Sequence, residues 1–173
     1  MTEYCRLIEM IDLSLFKDEV MTSPLWVKAP MPGGVFKHRS EIRIRTPIAR
    51  KDGTYTLDRR YDGSFPKLVS FLNRWAEPRG TLGCIVLGNL KPGGEVLEHV
   101  DQGRYYDERD RHHIVLESEG SLMTWEGRKH EQVFKTGELW WYNNHVKHAA
   151  YNTSPAVWRM HVIFDILPRA SES

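Results

Sequence analysis

The stretch A-V-W-R-M-H-V-I-F-D-I-L, residues 156–167, is the most legible β-strand in this sequence. Side chains alternate between the two faces of a strand, which divides this stretch into two rows. One row is apolar and consists of Trp158, Met160, Val162, Phe164 and Ile166. The other row consists of Arg159, His161, Ile163 and Asp165. On an outer face the second row would be ordinary solvated groups. Inside a barrel its arginine would need an anionic partner, because an unpaired buried cation is costly.

Further short β-rich runs precede this one, and turn signals such as K-P-G-G, W-E-G and K-T-G separate them. They cover residues 81–87, 95–100, 111–117, 121–125 and 138–142. Before them, residues 64–75 carry one apolar stripe at helical spacing, with Pro66 suited to the first turn. Helices followed by six or more strands predict a mainly β jelly roll or barrel with a short helical N-terminal region. We expect a single domain over 1–173, in which residues 1–80 support a β core at 81–168.

The bulk composition excludes several classes of function. Of the 173 residues, 40% are hydrophobic and 27% charged, which suits one soluble domain. A net charge of +1 gives no electrostatic reason to expect binding to nucleic acid or to an anionic membrane. Cys5 and Cys84 lie far apart, and the first residues include acids where a signal peptide needs bases. We therefore expect a cytoplasmic protein.

Three residues form a candidate metal site: His99 and Asp101 in H-V-D, and His148 in N-N-H-V-K-H. Residues two apart on a strand point the same way, and a distant histidine would complete a set of two imidazoles and one carboxylate. That set holds Fe(II) on one face. H-x-D alone is a weak motif in a chain with eight histidines, and each histidine could instead be a surface residue. The order of the residues strengthens the metal-site hypothesis. The pair His99 and Asp101 is followed by the distant His148 and, eleven residues later, by Arg159, which could bind a carboxylate.

Five blocks of the sequence together resemble the aspartyl/asparaginyl β-hydroxylase family of 2-oxoglutarate-dependent oxygenases. They are L-K-P-G-G-E-V-L-E-H-V-D at 90–101, R-D-R-H-H-I-V-L at 109–116, W-E-G at 125–127, G-E-L-W-W-Y-N-N-H-V-K-H-A-A-Y-N at 137–152 and W-R-M-H-V-I-F-D at 158–165. The resemblance spans residues 65–165 and implies a double-stranded β-helix, or cupin-like jelly roll. It also implies an enzyme that hydroxylates its substrate with Fe(II), O2 and 2-oxoglutarate as cosubstrate.

The resemblance assigns roles residue by residue. It makes His99 and His148 iron ligands, Arg159 the partner of the distal 2-oxoglutarate carboxylate, and His113 a contact at the other end of the cosubstrate. Arg109 and Arg111 match two arginines that hold the side-chain carboxylate of the target aspartate. If the strand begins early enough, 109, 111 and 113 share one face, and two guanidiniums there would clamp a carboxylate.

The sequence departs from the family at three places, one of them an extra residue between His148 and Arg159, and leaves the substrate open. The animal enzymes have glycine where this chain has Asp101, which makes the predicted site a full facial triad. A serine that binds the cosubstrate there corresponds to Gly88. The substrate is expected to be a protein, a peptide or a small molecule that carries a carboxylate. The alternatives are a hydroxylase of a free amino acid or small acid and, in a different class, a metal-binding cupin without catalytic activity.

Overall fold

The computed structural model describes residues 2–29, 34–36 and 38–169. The strands in this part of the chain are β1 Cys5–Met10, β2 Arg39–Ala49, β3 Tyr55–Asp58, β4 Gly80–Leu90, β5 Glu95–His99, β6 Asp110–Glu117, β7 Ser121–Trp125, β8 His130–Phe134, β9 Glu138–Tyr142, β10 His148–Asn152 and β11 Arg159–Pro168. The α-helices are α1 Lys17–Met21, α2 Pro66–Ala76 and α3 Arg104–Asp107. Short 3-10 helices cover Leu13–Leu15, Pro24–Lys28, Gly34–Phe36 and Asp62–Ser64.

The strands form two antiparallel sheets. The larger sheet has seven strands in the order β1-β9-β6-β11-β4-β2-β3, and the smaller has four in the order β5-β10-β7-β8. Several neighbours in the sheets are distant in sequence, as β11 lies between β6 and β4. This architecture is a double-stranded β-helix with a helical N-terminal region, so the predicted fold class is confirmed.

Helix α2 covers the outer face of the larger sheet and explains why that face is apolar. Its stripe of Leu68, Val69 and Leu72 is buried in one hydrophobic cluster with the β11 residues Val162 and Phe164. Pro66 occupies the first turn, where its missing N–H costs no hydrogen bond. The predicted helix at 64–75 is therefore confirmed to within two residues at either end.

Strand β11 is buried on both faces because its other row points between the two sheets. Arg159, His161 and Asp165 are each 3% exposed or less. A second hydrophobic cluster lies in the same interior and includes Trp125 and Phe134 of the smaller sheet. The two rows seen in the sequence are thus a helix-covered core face and a polar interior face.

Four strands were not predicted: β1, β3, β8 and β10. The omission of β10 matters most, because its first residue is His148 and it pairs with both β5 and β7. Among the residues that the structure describes, no helix has the length and apolar character needed to cross a membrane.

Candidate metal centre

The antiparallel pairing of β5 and β10 brings the predicted metal ligands together. His99 ends β5, His148 begins β10, and the two residues are direct register partners. Asp101 follows two residues after His99, where its backbone N–H donates to the carbonyl of Asn144. One ligand atom of each of the three side chains lies within 4.8 Å of the other two. The structure therefore places His99, Asp101 and His148 in one cluster.

Both histidines are oriented by backbone carbonyls. His99 Nδ1 lies 2.7 Å from the Leu97 oxygen, and His148 Nδ1 lies 2.9 Å from the Val146 oxygen. Each Nδ1 must carry the proton to make this bond, which leaves each Nε2 bare. The Nε2 atoms lie 3.7 and 4.0 Å from the carboxylate oxygens of Asp101. Burial lowers the pKa of His148 to about 4, so this imidazole is neutral at physiological pH, as a metal ligand must be.

The carboxylate of Asp101 is held by Arg111. Arg111 Nη1 donates to Asp101 Oδ2 at 2.6 Å, while Nε and Nη2 donate to the two oxygens of Asp165 at 2.7 and 3.0 Å. Burial alone would lower the pKa of Arg111, but the adjacent Asp165 and Asp101 raise it well above its ordinary value. The ring of Tyr106 lies 4.7 Å from this guanidinium. Arg111 is therefore a fixed, fully charged bridge between two carboxylates.

Arg159 is a second buried guanidinium, and its hydrogen-bond partners differ from those of Arg111. Its Nε donates to Ser121 Oγ at 2.5 Å, and its Nη2 contacts the Met123 sulfur at 3.2 Å. In the described part of the chain no carboxylate pairs with it. Burial, and then the charge of Arg39, lower the pKa of Arg159 to about 9, and it is still protonated at neutral pH. A buried cation without a counter-ion is unfavourable unless an anion binds beside it.

His113 is also buried and has one unpartnered nitrogen. Its Nδ1 lies 3.1 Å from His161 Nδ1, and its Nε2 has no hydrogen-bond partner among the described residues. His113, Arg159 and the cluster of His99, Asp101 and His148 all line one cavity of about 350 Å³ between the sheets. The cavity therefore contains both the possible metal ligands and the unpaired cation.

The structure corrects the predicted arrangement of Arg109 and Arg111. Strand β6 begins at Asp110, so Arg109 lies outside it and the expected shared face is wrong. Arg111 lines the cavity but Arg109 does not. Arg109 Nη1 donates to the Tyr105 carbonyl at 2.8 Å, and its guanidinium lies 4.0 Å from the centre of the Tyr105 ring. The two guanidiniums therefore do not form one clamp.

Sequence reasoning did not assign a role to Arg39, Glu41, Ser121 or the ring of Tyr142. Arg39, Glu41 and Tyr142 line the cavity, and Glu41 is a buried carboxylate bound by Arg39 and Arg43. Gly88 leaves room for Arg39, since a Cβ there would lie 3.3 Å from Arg39 Cδ. The sequence does carry a signal there, because Glu41, Arg43 and Arg45 alternate with the apolar residues Ile42 and Ile44, a pattern that indicates a strand over residues 41–45.

Comparison with known proteins shows the fold and no nearer relationship. The sequence matches no family model, and no curated protein matches it either. Among solved structures, an oxidoreductase of the 2OG-Fe(II) oxygenase family from Burkholderia pseudomallei superposes with a TM-score of 0.57 at 13% identity, covering 85% of this chain and 76% of that one. A prolyl-4-hydroxylase from Pseudomonas putida superposes with a TM-score of 0.55 at 13% identity, covering 98% of this chain and 95% of that one.

Proposed function

We propose that this chain is an Fe(II)- and 2-oxoglutarate-dependent oxygenase. The observation that carries the proposal is the position of Arg159. It is a buried cation without a carboxylate partner among the described residues, and it lines the same cavity as His99, Asp101 and His148. A cavity that combines a metal-ligand set with an unpaired guanidinium suits a ligand that chelates the metal at one end and carries a carboxylate at the other.

The donor set fits ferrous iron. Two imidazole nitrogens and one carboxylate on one side of a cavity form the facial arrangement used by non-haem Fe(II) enzymes. Iron bound there would supply the chemistry by which O2 hydroxylates a substrate C–H bond while 2-oxoglutarate is converted to succinate and CO2. Arg111 would keep Asp101 oriented, and the backbone bonds to the two Nδ1 atoms would keep the imidazoles oriented.

The cosubstrate would be held by two buried donors, Arg159 at its distal carboxylate and His113 at its other end. Arg159 offers a guanidinium that already donates Nε to Ser121, which fixes the direction of its remaining N–H groups. His113 offers its unpartnered Nε2 from the neighbouring strand β6. A non-catalytic cupin binder has no need of an arginine at this point of β11, so Arg159 favours the oxygenase over that alternative.

The charge of the cavity favours an acidic substrate. Among the residues that the structure describes, four arginines line it against three carboxylates, Glu41, Asp101 and Asp165, and the charges of Fe(II) and 2-oxoglutarate would cancel. The remaining positive charge suits a substrate carboxylate. Arg43 is the candidate contact: in the described part of the chain only its Nε is bound by a carboxylate, that of Glu41, and its side chain is half exposed, whereas Arg111 is bound by two aspartates. We propose an aspartyl, asparaginyl or related carboxylate-bearing substrate, with a free amino acid or small acid as the runner-up.

The test is binding followed by turnover. Anaerobic addition of 2-oxoglutarate to the protein with Fe(II) should produce the weak visible band of keto chelation, and candidate substrates should gain one oxygen atom as succinate forms. Arg159→Ala should weaken 2-oxoglutarate binding by about 2–5 kcal/mol, roughly 30- to several-thousand-fold. Arg128→Ala removes an exposed arginine outside the cavity and is the matched control. Equal cosubstrate affinity in both variants would refute the assignment.

A further inference from the structure

A chain of buried polar groups links Arg159 to His113. Arg159 Nε donates to Ser121 Oγ at 2.5 Å, and the same oxygen lies 3.3 Å from His161 Nε2. His161 Nδ1 in turn lies 3.1 Å from His113 Nδ1. All four side chains are buried, and Ser121 and His161 are 0% exposed. The chain ends at His113 Nε2, the nitrogen without a partner, on a residue that lines the cavity.

The direction of each hydrogen bond in this chain follows from its first donor. A guanidinium nitrogen can only donate, so Ser121 Oγ accepts from Arg159. The Ser121 hydroxyl hydrogen then needs an acceptor, and among the described contacts of Oγ only His161 Nε2 can accept it. A bare Nε2 places the His161 proton on Nδ1, which donates to His113 Nδ1. The remaining proton of His113 is therefore on Nε2.

The reverse direction leaves a buried group unsatisfied. If His161 donated from Nε2, Ser121 Oγ would accept twice and its own hydrogen would have no acceptor among the described residues, in a side chain that is 0% exposed. Burial lowers the pKa of both His113 and His161 well below the ordinary value, so each ring carries one proton. If both rings were doubly protonated, two N–H donors would face each other across the short distance between the Nδ1 atoms, and neither could accept a hydrogen bond.

We propose that His161 is a positioning residue which, together with Ser121, fixes His113 in the tautomer that directs an N–H into the cavity. The cavity lining then holds two buried donors in fixed orientations, the guanidinium of Arg159 and the Nε2–H of His113. Each of them binds an oxygen of an anion and rejects a ligand that offers its own donor at that position. That the anion is 2-oxoglutarate rests on the proposed function, whereas the tautomer does not.

Nitrogen-15 NMR of the ring nitrogens in the chain of 173 residues tests the tautomer directly. The spectra are recorded without metal and with Zn(II), a diamagnetic substitute for iron, and His113→Gln identifies the His113 signals. In the wild type we expect a protonated Nε2 and a bare Nδ1 at His113. A proton on Nδ1 would overturn the proposal.

Two substitutions separate positioning from packing. His161→Phe keeps a ring beside Phe134 but removes both nitrogens, so His113 should lose its single tautomer. His161→Asn can offer an amide N–H where Nδ1 was and should restore the wild-type spectrum. If His161→Phe does not fold, Ser121→Ala removes the hydroxyl that lies between Arg159 and His161. The wild-type spectrum also shows by itself which nitrogen of His113 carries the proton. An unchanged His113 tautomer in every variant would refute the role of His161.

Calorimetric titration of 2-oxoglutarate into the Zn(II) protein tests the consequence for binding. The dissociation constant should rise roughly tenfold in His161→Phe, the loss of one hydrogen bond to a charged group, and return towards wild type in His161→Asn. Affinity for Zn(II) should stay the same. If the wild type shows the expected tautomer but binds no 2-oxoglutarate, the proposed function fails while the positioning role stands. Equal cosubstrate affinity in wild type and His161→Phe would refute the binding consequence.

Discussion

Arg111 donates a hydrogen bond of 2.6 Å to Asp101 while its other nitrogens bind both oxygens of Asp165. Arg111 and Asp165 are direct cross-strand partners on β6 and β11, so the larger sheet fixes the guanidinium that binds Asp101. One oxygen of Asp101 faces this arginine and the other faces His99. Arg111 thus orients a candidate metal ligand, a role that differs from the expected contact with a substrate carboxylate.

Replacing Arg111 by methionine should weaken both the fold and the metal site. Asp165 is 1% exposed and would lose its charged partner, which should cost about 3–5 kcal/mol in the free energy of unfolding. Asp101 would lose its orienting bond, and metal affinity should fall roughly 10- to 100-fold. Urea unfolding and Mn(II) titration measure the two effects. Arg109→Met is the control, because Arg109 does not line the cavity, and matching metal affinities in the two variants would contradict this role.

Asp101→Gly should be less damaging to turnover than His99→Ala. Arg111 keeps Asp165 as its partner after the carboxylate of Asp101 is removed, so the substitution leaves the guanidinium paired. Metal affinity should nevertheless fall by at least the roughly 10- to 100-fold that loss of an orienting partner causes. His99→Ala removes an imidazole that is paired in register with His148 and should abolish turnover. Metal titration and succinate formation measure both variants, and equal, total loss would show that the carboxylate is indispensable.

The sequence predicted the fold because the strands that form the core alternate clearly. The predicted runs 121–125 and 138–142 coincide with β7 and β9, and residue 156 lies only three positions before the observed start of β11. Strand β1 was missed because only Cys5 and Ile8 in it are even partly buried, and its partner, β9, begins at Glu138, far along the chain. Such an edge strand is specified by the pairing and not by its own pattern.

The residues of the candidate site could be selected by their type, but the groups to which they bind could not be predicted. Metal-ligand chemistry singles out His99, Asp101 and His148 in the sequence. Whether an arginine binds a substrate or an internal carboxylate depends on strand register, and the cross-strand pair of Arg111 with Asp165 cannot be read from local sequence. Burial cannot be read from local sequence either: each histidine could have been a surface residue, yet α2 covers His112.

Arg159→Met should stabilise the ligand-free protein while it removes cosubstrate binding. The guanidinium is buried without a carboxylate partner among the described residues, so an apolar side chain of similar length avoids its desolvation cost. We expect the free energy of unfolding to rise by about 1–4 kcal/mol. Urea unfolding of the metal-free protein measures this change, with Arg128→Met as the exposed control. A clear loss of stability in Arg159→Met would mean that the bonds to Ser121 and Met123 outweigh the desolvation cost.

His112 lies outside the cavity, and its burial should make the fold sensitive to acid. Its ring packs at 5.2 Å from Trp75 and 5.3 Å from Phe164, and its Nδ1 has no partner among the described residues. Burial lowers the pKa of His112 to about 4 from its ordinary 6.5. Between these values the unfolded chain binds a proton that the folded protein does not, so stability is complete above pH 6.5 and falls as the pH decreases towards 4.

His112→Phe should remove this part of the acid sensitivity, because phenylalanine keeps the aromatic contacts and cannot bind a proton. The loss in wild type amounts to at most about 3 kcal/mol across the window, and the buried His113, His148 and His161 add their own contributions. Urea unfolding of the metal-free protein at pH 7.5 and 5 should therefore show a smaller difference in His112→Phe than in wild type. The exposed His145→Gln should behave as wild type. An equal decline in all three proteins would show that His112 is not a source of the acid sensitivity.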